Sequence, residues 1–213
     1  SLNLEKYDEW KDDKMMINDV MRFLDNVLTD FIDRAPDEFA DAKYSAERER
    51  SVGLGVMGFH SYLQKNQIPL ESVMSKVWNK KIFKNIQENV DQASKDLAEE
   101  RGPCPDAADY GYNERFSNKT AIAPTASISI ICGGASPGVE PIAANSYTHK
   151  TLSGSFNVRN RYLVELLEKH GKNTDEIWSG ITTNQGSVSH LDFLSDLEKD
   201  VFKTAFELDQ KWI

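Results

Sequence analysis

Residues 120–134 read Thr120-Ala121-Ile122-Ala123-Pro124-Thr125-Ala126-Ser127-Ile128-Ser129-Ile130-Ile131-Cys132-Gly133-Gly134. The run opens on an apolar triplet, Ala121-Ile122-Ala123, suited to a short buried strand, and Pro124 closes it because proline has no N–H to give a ladder. Thr125 or Ser127 is placed to cap a helix, Ile128, Ile131 and Cys132 fall on one helical face, and Gly133 is a natural stop. A strand feeding a helix leaves several N–H groups without partners, all pointing one way. With the hydroxyls of Thr125, Ser127 and Ser129 beside them, those donors make an anion site. The plainer alternative is a strand, a turn and a helix whose Thr and Ser residues only cap. The neighbouring sequence favours the anion site: residues 135–145 form a Gly- and Pro-rich loop ahead of a further strand at 145–151, and α/β proteins place function on loops at strand ends.

A second glycine-bearing stretch, Gly53-Leu54-Gly55-Val56-Met57-Gly58, fits the G-x-G-x-x-G pattern of dinucleotide sites. That chemistry needs a buried strand just before the glycines, and residues 45–51 are too charged to supply one. Glu71 stands near the spacing expected of a ribose-binding acid, as some acid would in most acidic chains. The glycines are instead expected to let a helix, with Val56, Phe59 and Leu63 on one face, pack closely against another backbone.

Around these stretches the pattern is mostly helical. Residues 12–33 carry Met16, Val20, Phe23, Leu24, Val27, Leu28, Phe31 and Ile32 at helical spacing, and Pro36 ends the helix. Residues 72–101, in one or two pieces, form another helix, stopped by Gly102-Pro103-Cys104-Pro105 and succeeded by a loop over 106–118. Asn160 caps a helix containing Leu163, Leu166 and Leu167 that ends at Gly171. Asn173 with Glu176, and Ser195 with Glu198, have capping-box spacing. The second box opens a helix expected to run through Val201, Phe202, Ala205, Phe206, Leu208 and Trp212 to Ile213. Its uncapped apolar end suggests a polypeptide continuing beyond both termini, and exposed apolar faces there predict self-association. No internal repeat or low-complexity tract is present.

With 213 residues and 39% apolar content the chain can bury the core of one domain or two small ones. A formal net charge of −9 argues against binding a nucleic-acid backbone, which calls for a basic face. No membrane span and no signal peptide are encoded, which makes the cytoplasm the expected location. Cys104 and Cys132 lack C-x-x-C spacing, and His60, His149, His170 and His190 share no short spacing with carboxylates, so structural or surface roles are expected and no metal is assigned.

The string Ala123-Pro124-Thr125-Ala126-Ser127-Ile128-Ser129, with Gly138-Val139-Glu140-Pro141 after it, resembles the large catalytic (alpha) subunit of class I ribonucleotide reductase. Residues 50–59 are similar to a glycine-bearing helix upstream in the same subunits, and Ser1-Leu2-Asn3-Leu4 looks like the residues after one of the family's active-site cysteines. The resemblance implies an α/β fold: a partial ten-stranded α/β barrel, helix-rich with few short strands, with residues 1–213 as an incomplete catalytic barrel domain. It implies reduction of ribonucleoside diphosphates by thiyl-radical chemistry, using a radical from a metal-containing small subunit and nucleotide effectors. No cofactor is expected on this chain itself. The implied partners are the ribonucleoside diphosphate substrate, the missing part of the large subunit and the small subunit. By the same resemblance Pro124, Thr125, Ala126, Ser127, Ile128 and Ser129 would bind the substrate's diphosphate. No catalytic residue is assigned, because neither Cys104 nor Cys132 matches a family thiol, so the isolated chain is expected to be inactive. The alternative is a helical module that binds a partner protein without catalysis.

Overall fold

The computed structural model describes residues 1–152 and 154–212. In chain order the elements are β1 (Leu2–Asn3), α1 (Tyr7–Trp10), α2 (Lys14–Arg34), α3 (Ala40–Glu49), β2 (Val56–Met57), α4 (Phe59–Lys65), α5 (Val73–Arg101) and α6 (Pro105–Asp109). They continue as α7 (Ile128–Ile131), β3 (Ser146–Thr151), β4 (Gly154–Arg159), α8 (Arg161–Lys169), α9 (Asp175–Thr183) and α10 (Asp196–Val201). The expected helix-rich fold with few short strands is what forms, and among the described residues no barrel closes. Nor is any described helix long and apolar enough to cross a membrane. The chain divides into two compact units: the first takes Ser1–Leu2, Lys6–Val56 and Asn79–Ala123, and the second takes Asn3–Glu5, Met57–Trp78 and the described part of Pro124–Ile213.

In the first unit α2 begins where expected, because Asp13 Oδ1 accepts from the N–H groups of Met15 and Met16. It ends at the residues before Pro36, with Ala35 already extended. The buried face differs from the expected stripe. Ile17, Met21, Asp25 and Ile32 turn inward, while Phe23 (63% exposed), Val27 and Phe31 face out. A buried carboxylate explains the rotation. Asp25 is fully enclosed and meets Arg50, Arg101 and Arg115, so α2 must turn toward those cations. The same unit contains most of α5, one unbroken helix whose Ile82, Ile86, Val90 and Leu97 are buried at the spacing read from sequence. Within the expected 106–118 loop lies the short helix α6, started by Pro105 at its first position.

Two expectations for the glycine stretch and the apolar triplet are corrected. Residues 53–56 are not helical. Leu54 makes an isolated parallel bridge with Thr120, its N–H donating to Lys119 O and its carbonyl accepting from Ala121 N–H. A Cβ on Gly55 would come 2.3 Å from Ala121 O, and one on Gly53 would come 3.0 Å from Ala121 Cβ. The glycines therefore allow close backbone approach, as expected, but from an extended segment and not from a helix. The 121–123 strand does not form either, since pairing stops at that single bridge and all three residues are exposed.

In the second unit α8, α9 and α10 enclose an apolar core that includes Leu163, Leu167, Trp178, Ile181, Val201 and Phe202. Asn160 caps α8 through Tyr162 N–H, and Ser195 with Glu198 forms the reciprocal capping box of α10. Asn173 caps nothing. Thr174 takes the N-cap place of α9, while Asn173 Oδ1 accepts from the Trp178 indole at 2.7 Å. The expected 145–151 strand forms and pairs antiparallel with β4, a strand that the sequence pattern does not announce. Helix α10 stops at Val201, well short of the expected run, because Glu207 Oε2 takes both the N–H and the hydroxyl of Thr204, folding the chain into a turn, and helical structure returns only as a single 3-10 turn at Gln210–Trp212. The expectation for Ile213 lies outside the described residues.

Candidate functional site

Residues 124–138 form the candidate site, within the second unit. Pro124 leads into Thr125, whose φ of 52° is left-handed, an uncommon conformation for a β-branched residue and one that costs on the order of 1–3 kcal/mol. Two contacts hold it there. Thr125 Oγ1 accepts from Gly138 N–H at 2.8 Å, and Thr125 O accepts from Ser129 N–H at 2.9 Å. Thr125 and Ser129 are buried, whereas Pro124, Ala126, Ser127 and Ile128 are exposed.

The turn at Ala126 and Ser127 passes directly into α7. Ser127 holds the N-cap place but has helical dihedrals (φ −88°, ψ −41°), which keep its hydroxyl from capping. The capping role expected for Thr125 or Ser127 is thus filled by neither. Thr125's hydroxyl is turned into the protein by Gly138, and that of Ser129 donates to Ala126 O at 3.4 Å. The hydroxyl-lined mouth expected from sequence therefore reduces to Ser127. The backbone donors remain. Among the described residues none accepts a hydrogen bond from the N–H of Ala126, Ser127 or Ile128. Successive unclaimed amides at the start of a helix are the chemistry that receives an anion.

The opposite end of α7 is closed. Gly133 and Gly134 both have positive φ, and the N–H of Gly134 and of Ala135 return to Ser129 O. The Arg161 guanidinium lies beside this turn, 3.6 Å from where a Cβ on Gly134 would sit. Asn3 Nδ2 reaches Cys132 O at 3.4 Å, so the Asn3–Glu5 segment borders the same end. Nearby, the Tyr162 hydroxyl donates to the buried Glu5 carboxylate at 2.8 Å, and burial together with that weaker influence, the hydrogen bond, pushes the Tyr162 phenol upward.

Sequence reading misses the residues that support this loop. Ser136, Gly138 and Ile142 all bond to α4 or to the residue before it, and Asn145 fixes the far end through Gly186 O and Phe202 O. The signal available is the Ser-Pro-Gly turn at 136–138, two residues after a double glycine. Of the two cysteines, Cys104 is buried and Cys132 is exposed just after α7, and both are free thiols.

Comparison with known proteins gives a consistent outcome. The family described as "Ribonucleotide reductase, barrel domain" matches residues 1–116 and 106–213. The ribonucleoside-diphosphate reductase large subunit of Invertebrate iridescent virus 6 is 49% identical across 100% of this chain and 22% of its own length. That of Invertebrate iridescent virus 3 is 45% identical across 99% of this chain and 34% of its own length. Among solved structures, the Actinobacillus ureae class Id ribonucleotide reductase alpha subunit superposes with a TM-score of 0.86 at 41% identity, covering 95% of this chain and 37% of that one. The chain thus spans about a fifth to a third of the length of these viral relatives.

Proposed function

Because this chain belongs to the ribonucleotide reductase barrel-domain family, we propose that residues 1–213 supply part of the catalytic barrel of a ribonucleoside-diphosphate reductase large subunit, and that the 124–129 segment receives the substrate's diphosphate. The observation that carries the reading is the set of unclaimed N–H groups on exposed Ala126, Ser127 and Ile128 at the start of α7. Pro124 has no N–H and sets the entry of the turn, Thr125 fixes its shape, and the three amides with the Ser127 hydroxyl face the ligand. Ser129, which is buried, supports the turn from behind.

In this reading the chain binds and orients one end of the nucleotide, and it donates no electrons. Neither the buried Cys104 nor Cys132, exposed just after α7, is assigned the reducing role in this reading, because neither matches a family thiol. The thiols belong to the rest of the large subunit, and the radical to a metal-containing small subunit. Among the described residues of this chain no His, Cys, Asp and Glu group is arranged to hold a metal. The cytoplasm, where nucleotide pools reside, is the location that fits this role.

Titration of the chain with inorganic pyrophosphate and with a ribonucleoside diphosphate tests the reading. The amide resonances of Ala126, Ser127 and Ile128 are expected to move with both ligands. Binding that leaves them in place, or no binding at millimolar ligand, would overturn it. A second reading, a helical module that docks a partner protein, draws on the exposed Phe23, Val27, Phe31 and Phe39, and predicts that neither ligand has any effect.

A further inference from the structure

Helix α4 begins without a side-chain cap. Its N-cap residue is Gly58, at φ +81°, which has no side-chain oxygen to offer the N–H groups of the first turn. The loop after α7 takes that place. Ser61 N–H donates to Ser136 Oγ at 3.1 Å, and Ser136 N–H donates back to Ser61 Oγ at 2.9 Å. Both serines are buried, so this reciprocal pair is shielded from solvent. Beside it Gly58 N–H donates to Ser136 O at 2.7 Å, and Phe59 N–H approaches Gly138 O at 3.5 Å. One residue before Ser61 on α4, the buried His60 accepts from Ile142 N–H through Nδ1 at 3.0 Å. The loop is therefore fastened at Ser136, Gly138 and Ile142, all by the start of one short helix.

The middle of these anchors, Gly138, is also the residue whose N–H holds Thr125 Oγ1. We propose that Ser61 and His60 are positioning residues for the anion site: they fix the 136–142 loop, the loop presents Gly138 N–H to Thr125, and Thr125 kept left-handed aims the amides of 126–128. The glycine stretch ahead of α4 then has a second purpose. Gly58, whose N–H holds Ser136 O, also admits the Asn3–Glu5 segment at close range, since a Cβ there would meet Asn3 Oδ1 at 2.9 Å and Glu5 N at 3.3 Å, with Ala135 Cβ at an ordinary contact of 3.4 Å. The inference rests on the phosphate-binding reading for its functional consequence, and on the hydrogen-bond chain alone for its structural one.

The test compares Ser61→Ala and Ser136→Ala, which remove opposite halves of the reciprocal pair, with Asp25→Asn, which weakens the first unit without touching the loop. All are measured in the full chain by pyrophosphate titration and by the amide resonances of 126–128 and Gly138. Each serine variant is expected to weaken pyrophosphate binding about tenfold, the scale of one lost hydrogen bond, and to shift those resonances in the absence of ligand. Asp25→Asn should lower thermal stability and leave both readouts unchanged. Serine variants that bind as the parent chain does, with unmoved resonances, would overturn the proposal. If the parent chain does not bind pyrophosphate, the phosphate reading fails, and ligand-free resonances still decide the positioning: shifted in the serine variants alone supports it, and unshifted refutes it. Should Ser61→Ala not fold, Ser136→Ala carries the same test from the loop side.

Discussion

The amide of Gly138 lies 2.8 Å from the hydroxyl of Thr125, and this one bond joins a β-branched residue at φ 52° to a loop thirteen positions further on. Replacing the hydroxyl by a methyl in Thr125→Val keeps the strained backbone and leaves a buried N–H without an acceptor. The expected loss of stability is about 1–3 kcal/mol, read as a lower urea midpoint at constant slope. Thr125→Asn, whose side chain tolerates the left-handed region and still offers an oxygen, should lose less. Equal midpoints for Val and the parent chain would remove the bond from the account.

Gly55 and Gly102 separate two reasons for a glycine. A Cβ on Gly55 would stand 2.3 Å from Ala121 O, a clash with main chain that side-chain rotation cannot relieve. Gly102 ends α5 at φ +86° with nothing within 4 Å of its Cβ position. Gly55→Ala should therefore destabilise by roughly 3 kcal/mol or more, and Gly102→Ala by about 1 kcal/mol, the cost of left-handed backbone alone. Thermal melts of both variants check the order, and a Gly102 variant worse than the Gly55 one would reverse the assignment.

What is legible in the sequence depends on the range of the forces involved. The bounds of α2, the length of α5, the Asn160 cap and the Ser195 and Glu198 box are local, set within four residues, and all can be read from the chain. The 124–129 segment is marked by its own composition. Its hydroxyls escape local reading because Thr125 answers to Gly138, and the rotation of α2 escapes it because Asp25 answers to Arg50, Arg101 and Arg115, the last of them 90 positions away. The glycines of 53–58 announce a close approach, yet whether helix or extended chain approaches is decided by Ala121, which no local pattern reveals.

Asp25 gives the first unit an acid-sensitive centre. Burial is the largest influence on its carboxyl and raises the pKa, but hydrogen bonds from Arg115, Arg101 and Arg50 together outweigh it and hold the group below the ordinary carboxylate value. A depressed carboxylate stabilises the fold above the pKa of the unfolded chain, and that contribution is lost as pH falls through the folded value. Asp25→Asn strands three guanidiniums that are only 10–27% exposed and should cost roughly 3–5 kcal/mol at neutral pH. The variant should also lose the part of acid unfolding that sets in below about pH 4. A chemical denaturation series from pH 7 to pH 3 measures both, and an unchanged neutral midpoint would show that the cluster adds nothing.

His60 predicts a different window. Complete burial lowers its pKa from the ordinary 6.5 to about 4, and Nδ1, which accepts from Ile142 N–H, has to stay unprotonated for that bond to exist. Above pH 6.5 both folded and unfolded chains carry a neutral ring, and the group adds no pH dependence. As pH falls below 6.5 the unfolded chain takes up a proton that the folded chain refuses, so stability declines until about pH 4, where the folded ring also titrates and the slope vanishes. The full effect is roughly 3 kcal/mol. His60→Asn keeps an oxygen for Ile142 N–H and cannot titrate, so between pH 6.5 and 4 its stability should fall less steeply than the parent's, the remaining slope coming from carboxylates such as Glu71 and Glu198 that are held below their ordinary value. Because the Asp25 contribution begins where this one ends, the two are separable in one titration, and a parent chain with no slope above about pH 4 would mean that the ring at position 60 is open to water.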